Sequence, residues 1–333
     1  MTDPSPDMPP AGASTSSEGI EPGRPRGSLG ARGFRLALQL ALTVVVTWFI
    51  LKSVDFSLRE LGGFDISGLS VNWVQMVASG LVLLSAYLFS AGLWGLMVRE
   101  MSGHEVGFLP SLRVFFTANL GRYIPGKLWQ IAGLAYLAKG QGVPAGTATG
   151  AAVLGQAFSL AGATLVGGGV LLGSGGGSAL GGGWVALILL ALLLTATSPG
   201  LLKALVPLWF RVSRQAAPPS FRPDPAFGIR WMGLYALTWS LQGLGFWILV
   251  GSLGFDLTLL EGVPAYPAAY VAGYLALFAP AGAGIREGLL IVLLGPALGV
   301  GAGVVAIVAR LWATAVELIP AAVLAGGYMR SSN

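Results

Sequence analysis

The sequence predicts an all-α, multi-pass transmembrane helical bundle of about six to eight spans, two of them broken or re-entrant. Three observations predict it. Of 333 residues, 54% are hydrophobic and only 10% charged, against about 25% charged in soluble domains. The apolar residues fall in runs of membrane-crossing length, separated by polar, basic or glycine-rich loops. Two runs are interrupted by proline and glycine with a cation beside the break, at Tyr123-Ile124-Pro125-Gly126-Lys127 and from Pro280 to Arg286.

Residues 1–30 are rich in Pro, Ser, Gly and Thr and offer little to bury. They are expected to form a disordered cytoplasmic tail before a single polytopic membrane domain, residues 31–330. Arg24, Arg26, Arg32 and Arg35 accompany an apolar run from Phe34 to Leu51. That run is long for a signal core and no small-x-small cleavage site follows, so it reads as an uncleaved first span. A second span occupies about Trp73 to Val98. His104, the one histidine, lies in a polar loop beside Glu105 and reads as a solvated side chain. One histidine and no cysteine make no metal site by themselves, and no cofactor is implied.

The stretch from Asn119 to Pro144 is too charged and too broken for an ordinary span. Proline removes a backbone donor, so a helix should stop near Ile124 and restart after Gly126. Broken backbone at membrane depth survives only where protein or a water-filled cavity satisfies it, which makes this a candidate site. Gly121, Gly126 and Lys127 nearly spell a phosphate-binding loop, but Leu128 stands where the magnesium-binding hydroxyl belongs and no strand pattern precedes it. The nucleotide reading is rejected.

A third span, about Thr147 to Leu172, carries small residues at every fourth position: Thr147, Ala151, Gly155, Ser159, Ala163 and Gly167. Such a stripe admits a neighbouring helix closely, or lines a path for a lipid tail. Gln156 within it should hydrogen-bond a neighbour. Gly173 to Gly183 reads as a loop, and a fourth span begins at Trp184 and breaks at Ser198-Pro199-Gly200. From Pro199 to Trp231, Lys203, Arg211, Arg214, Arg222 and Arg230 face a single Asp224, the strongest cytoplasmic signal. A fifth span, Trp231 to Leu253, leads to a loop holding Asp256 and Glu261 that should lie outside. The second broken region covers Tyr266 to Leu294, and a last span, about Ala302 to Tyr328, contains Arg310 and Glu317. Both termini are expected in the cytoplasm. The net charge of +5 thus reports topology and gives no sign of a nucleic-acid partner.

Charge inside an apolar span costs about 2.5–3.5 kcal/mol per residue on insertion scales, so Arg286, Glu287, Arg310 and Glu317 need a reason. One is an ion-pair network, with Glu287 on Arg310 and Glu317 on Arg286 or Lys127. The other is that the cations meet a lipid phosphate, with helices restarting after each break and aiming free N–H groups at it. Opposed broken helices in two halves of a chain are the pattern of a transporter site.

The run Asn119-Leu-Gly-Arg-Tyr-Ile-Pro-Gly-Lys-Leu-Trp129, followed by Pro280-Ala-Gly-Ala-Gly-Ile-Arg-Glu-Gly288, resembles the lysylphosphatidylglycerol synthetase transmembrane, flippase-like family, from about Phe34 to Tyr328. The family's best-understood members carry a soluble aminoacyltransferase domain after the membrane part, and that domain is expected to be absent here. The resemblance implies a cell-membrane protein that moves an anionic or aminoacylated phospholipid or a lipid-linked substrate. The alternatives are a membrane-embedded transferase on lipid-linked substrates, with Glu287 and Glu317 the only candidates for its carboxylate, and an accessory subunit. With no recognisable catalytic domain, the transporter reading leads and no catalytic residue is assigned. The headgroup candidates are Arg122, Tyr123, Pro125, Gly126, Lys127, Arg286 and Glu287, with Arg310 and Glu317 as an intramembrane charge network. Membrane phospholipids are the expected partners, with a separate soluble transferase or another membrane subunit also open.

Overall fold

A computed structural model describes residues 70–123, 128–173, 191, 194, 198–212, 224, 226–275 and 284–330. The tail 1–30, the run Phe34–Leu51, Pro125, Gly126 and Lys127, residues 174–183, most of the span begun at Trp184 and residues 280–283 lie outside the described residues. All described residues belong to one unit, 44–333.

Nine helices and one short 3-10 turn make up the described chain, which contains no strand. They are α1 (Trp73–Ser102), α2 (Phe108–Asn119), the 3-10 turn (Leu120–Tyr123), α3 (Leu128–Lys139), α4 (Ala145–Gly173), α5 (Pro199–Val212), α6 (Phe227–Ser252), α7 (Leu259–Leu275), α8 (Ile285–Leu298) and α9 (Gly301–Arg330). Four are long and apolar enough to cross a membrane: α1, α4 over Ala145–Val170, α6, and α9 over Gly301–Leu324, with mean hydropathies of 1.9, 1.4, 1.3 and 1.8.

The centre of the bundle is α6, packed against α1, α4 and α7. Missing side chains let these helices meet. A Cβ at Gly167 would lie 2.5 Å from the Ala268 nitrogen of α7, and one at Gly162 would lie 2.6 Å from the Ala236 nitrogen of α6. Gly167 belongs to the small-residue stripe and Gly162 does not, so the packing surface of α4 is wider than the four-residue spacing shows. The opposite faces are apolar and exposed, with Val74, Val77 and Leu81 on α1 and Ile319 and Val323 on α9. Apolar side chains in that position are at no disadvantage in hydrocarbon.

Around this centre stand two helix pairs. Helices α2 and α3 have 12 residues each, about 18 Å at 1.5 Å per residue, well short of a hydrocarbon core of about 30 Å. They run antiparallel: Gln130 Nε2 donates to Asn119 Oδ1 at 2.6 Å, and a Cβ at Gly133 would touch Ala118 at 3.4 Å. Trp129, Tyr136 and Lys139 line the exposed side of α3, a mixture suited to the headgroup level. The second pair is α8 and α9, joined at Gly299-Val300; α8 packs along α7, and α9 against α1 and α2.

Four expectations need correction. The second span does not stop at Val98 but runs to Ser102, where Gly103, at φ +70°, donates its N–H to the Arg99 carbonyl at 2.7 Å. Gly173 ends α4 and is not loop. Part of the basic segment from 199 is helix α5, because Leu202, Val206 and Phe210 recur every fourth residue and bury one face, leaving Lys203 and Arg211 exposed. Glu261 begins α7 instead of sitting in a loop: its carboxylate accepts from Thr258 N–H at 3.0 Å and Oγ at 2.7 Å. Those hydrogen bonds hold the carboxyl below the usual carboxylate range.

Candidate functional site

The 3-10 turn after α2, the first turn of α8 and the middle of α9 bring the buried charges together. Arg122 Nη1 lies 3.3 Å from Glu317 Oε1, and Tyr123 Oη donates to Glu317 Oε2 at 3.1 Å. On the neighbouring stretch of α9, Arg310 Nη1 donates to Glu287 Oε1 at 3.0 Å. The other oxygen of Glu287 accepts the Gly284 N–H at 2.7 Å. Gly284 holds φ +81°, a conformation open to glycine, and this lets α8 start where it does. Both carboxylates are withdrawn from solvent, Glu317 at 2% exposure and Glu287 at 9%.

Arg310 and Glu317 therefore share a face of α9 without meeting, and each takes a partner from another element. Glu287 pairs with Arg310 as one sequence reading had it, and so does not hold Arg286. For Glu317 the described ion partner is Arg122 and not Arg286, while Lys127, the other partner that reading offered, lies outside the described residues. The reason is reach, since the 3-10 turn carries Arg122 and Tyr123 onto α9 side by side. At the second break the helix start is not free either, because Glu287 already accepts the Gly284 N–H. The segment before the first break is helix and 3-10 turn, so no strand precedes Gly121, as a nucleotide loop requires.

Arg286 is placed differently. Its Cζ lies 5.2 Å from the centroid of the Tyr266 ring and 5.8 Å from that of Tyr270. It makes no ion pair with a described carboxylate. Tyr266 and Tyr270 are four residues apart on α7 and so present one face.

Arg122, Tyr123, Arg286, Glu287, Arg310 and Glu317 all line one cavity of about 40 Å³. Tyr87, Arg122, Tyr266 and Arg286 also line a second, of about 90 Å³. These four thus stand between the two spaces. The larger is walled by amides and aromatic rings from α1, α3, α4, α6 and α7, among them Trp94, Gln130, Gln156, Tyr235, Trp239 and Gln242. Gln156 Nε2 donates to Tyr270 Oη at 3.1 Å, the neighbour its depth called for. The stripe residues Ala151, Gly155 and Ser159 line the same space, so the middle of the stripe is wall and its ends are packing.

Tyr87, Tyr235, Tyr266, Tyr270 and Gln242 were not singled out in the sequence as site residues. A polar amide in the apolar run of α6 was the available signal for Gln242, and the four-residue spacing of Tyr266 and Tyr270 the signal for that pair. Among the described residues, no three His, Cys, Asp or Glu side chains stand close enough to hold a metal ion.

No curated protein matches the chain. Residues 36–324 match the family described as lysylphosphatidylglycerol synthase TM region, and this span takes in both broken segments and every element above up to the last turns of α9. The chain belongs to that lysylphosphatidylglycerol synthase transmembrane-region family and is an integral membrane protein.

Proposed function

We propose that this protein is a flippase-like lipid transporter of the cell membrane, handling an anionic or aminoacylated phospholipid or a lipid-linked substrate. One observation carries the reading. The two broken segments deliver Arg122 and Arg286 to the wall of the same cavity, and Arg286 arrives without a described carboxylate partner. Arginine's fork suits a phosphate diester, and at low dielectric such a grip is strong. The family name, which refers to a phospholipid synthase, supports the lipid class of substrate. The transferase reading is weaker, because both carboxylates it would need, Glu287 and Glu317, are held in ion pairs.

In this reading both termini and the basic segment from 199 face the cytoplasm, and α2 with α3 enters and leaves on one side. Cysteines placed at Leu120 and Gly140 of this cysteine-free chain should label from the same side; labelling from opposite sides would make the pair a crossing. The central test is Arg286→Gln in reconstituted vesicles. The variant should insert and stay folded in detergent while losing phospholipid binding and transbilayer movement. Parental activity in that variant overturns the proposal.

A further inference from the structure

We infer that the smaller cavity is a second phosphate site, the inverted counterpart of the larger one, and that a lipid phosphate passes between them on Arg122 and Arg286. The inference rests on the transporter reading and adds to it the place where the phosphate goes next.

The described chain holds one arrangement twice. Helix α1, the α2–α3 hairpin and α4 come first; α6, the α7–α8 hairpin and α9 repeat that order. The long members have 30 and 29 residues in the first set and 26 and 30 in the second. The sets run in opposite directions. At one end of the bundle α1 starts where α6 stops, and Asn72 N–H donates to the Ser252 carbonyl at 2.7 Å. At the other end α1 stops where α6 starts, and Trp231 Nε1 donates to Glu100 at 2.8 Å. The α2–α3 hairpin opens and closes at this second end, its flanking loops joined by His104 Nε2 donating to the Gln141 carbonyl at 3.0 Å. The α7–α8 hairpin belongs to the first end, where a Cβ on Gly301 would meet the Phe255 ring. Packing between the sets recurs with the sets exchanged: α4 lies on α7 and α6 as α9 lies on α2 and α1. An axis in the membrane plane relates helices arranged in this way.

The two cavities obey the same relation. On α4 the larger is lined by Ala152, Gly155, Gln156 and Ser159. On α9 the smaller is lined by Ala306, Ala309, Arg310 and Ala313, at the same spacing along the helix. Each is also lined by the third residue of a hairpin's second helix, Gln130 in α3 and Glu287 in α8. An operator that exchanges the ends of the bundle puts its two cavities at opposite depths. A cavity serving a lipid of one leaflet therefore has a counterpart serving the other.

What differs is the filling. Gln156 donates to Tyr270 Oη and leaves a space of about 90 Å³, whereas Arg310, at the matching position, pairs with Glu287 beside a space of about 40 Å³. Two repeats held in unequal conformations are what access from alternate sides requires: when they exchange, the larger space closes and the smaller opens. Charge fits the second role. Arg122, Arg286 and Arg310 line the smaller space with Glu287 and Glu317, an excess of one positive charge among the described residues. That is the complement of one phosphodiester. Arg122 and Arg286 line both spaces, so a phosphate held by them crosses without being released.

The test is photolabelling of the purified full chain in lipid nanodiscs by phosphatidylglycerol with a diazirine on its headgroup. Labelled peptides should come from α4 around Gln156 and from α9 around Arg310. Labelling confined to one of the two helices overturns the second site and leaves the transporter reading standing; labelling of neither overturns both. Ala313→Val, which fills the smaller space, should keep the α4 label while lowering the α9 label and transbilayer movement in vesicles about tenfold or more. Movement at the parental rate in that variant sinks the inference. Ala309→Val takes its place if Ala313→Val fails to accumulate, and the labelling of the parent decides without either. Arg286→Gln should lose both labels, and retention of one would deny that the two sites share this arginine.

Discussion

The two broken segments each bring an arginine to the same place, yet they bring it in different states. Arg122 arrives from the 3-10 turn bound to Glu317, a carboxylate 195 residues away, with Tyr123 on the same oxygen pair. Arg286 arrives from the start of α8 lying over two tyrosine rings, while its neighbour Glu287 is committed to Arg310 and to the Gly284 N–H. A buried cation in an ion pair is fixed by its partner, and removing either one strands the other. A buried cation on aromatic faces keeps its directional donors for something else. The first arginine is tied to α9 by a carboxylate, and the second has no described carboxylate to tie it.

That difference predicts an order of effects on stability, read by thermal unfolding of the full chain in detergent. Glu317→Ala should cost most, about 3 kcal/mol or more, because it strands the buried Arg122 and takes one hydrogen-bond partner from Tyr123. The double variant Arg122→Gln/Glu317→Gln should recover a measurable part of this, and additive losses would deny the coupling. Gly121→Ala should cost about 1–3 kcal/mol, since the new Cβ would lie 2.8 Å from the Trp129 backbone and force the 3-10 turn and α3 apart.

Arg310→Gln should cost less than Glu317→Ala, about 1–2 kcal/mol, because Glu287 keeps its backbone donor. Equal losses for the two would mean that the α8 start contributes nothing to holding its carboxylate. Arg286→Gln should be smallest, about 1 kcal/mol or less, the scale of a cation over an aromatic ring. A large loss there would make Arg286 a structural residue like Arg122, and the contrast between the segments would vanish.

The membrane class, the positions of the breaks and the short list of charges needing partners were all readable along the chain. Each rests on a local property: how apolar a run is, where proline forbids a helix, and what a charge costs at depth. Even the pairing of Glu287 with Arg310 was within reach, since α8 and α9 adjoin across Gly299-Val300. The tertiary structure alone decided that Glu317 meets Arg122, that α5 is a separate helix buried on one face, and that Gln242, Gln156 and Trp94 share a cavity. Those outcomes depend on how helices distant in sequence are rotated and staggered against one another. Spacing within one helix says which residues share a face, but not what that face will meet.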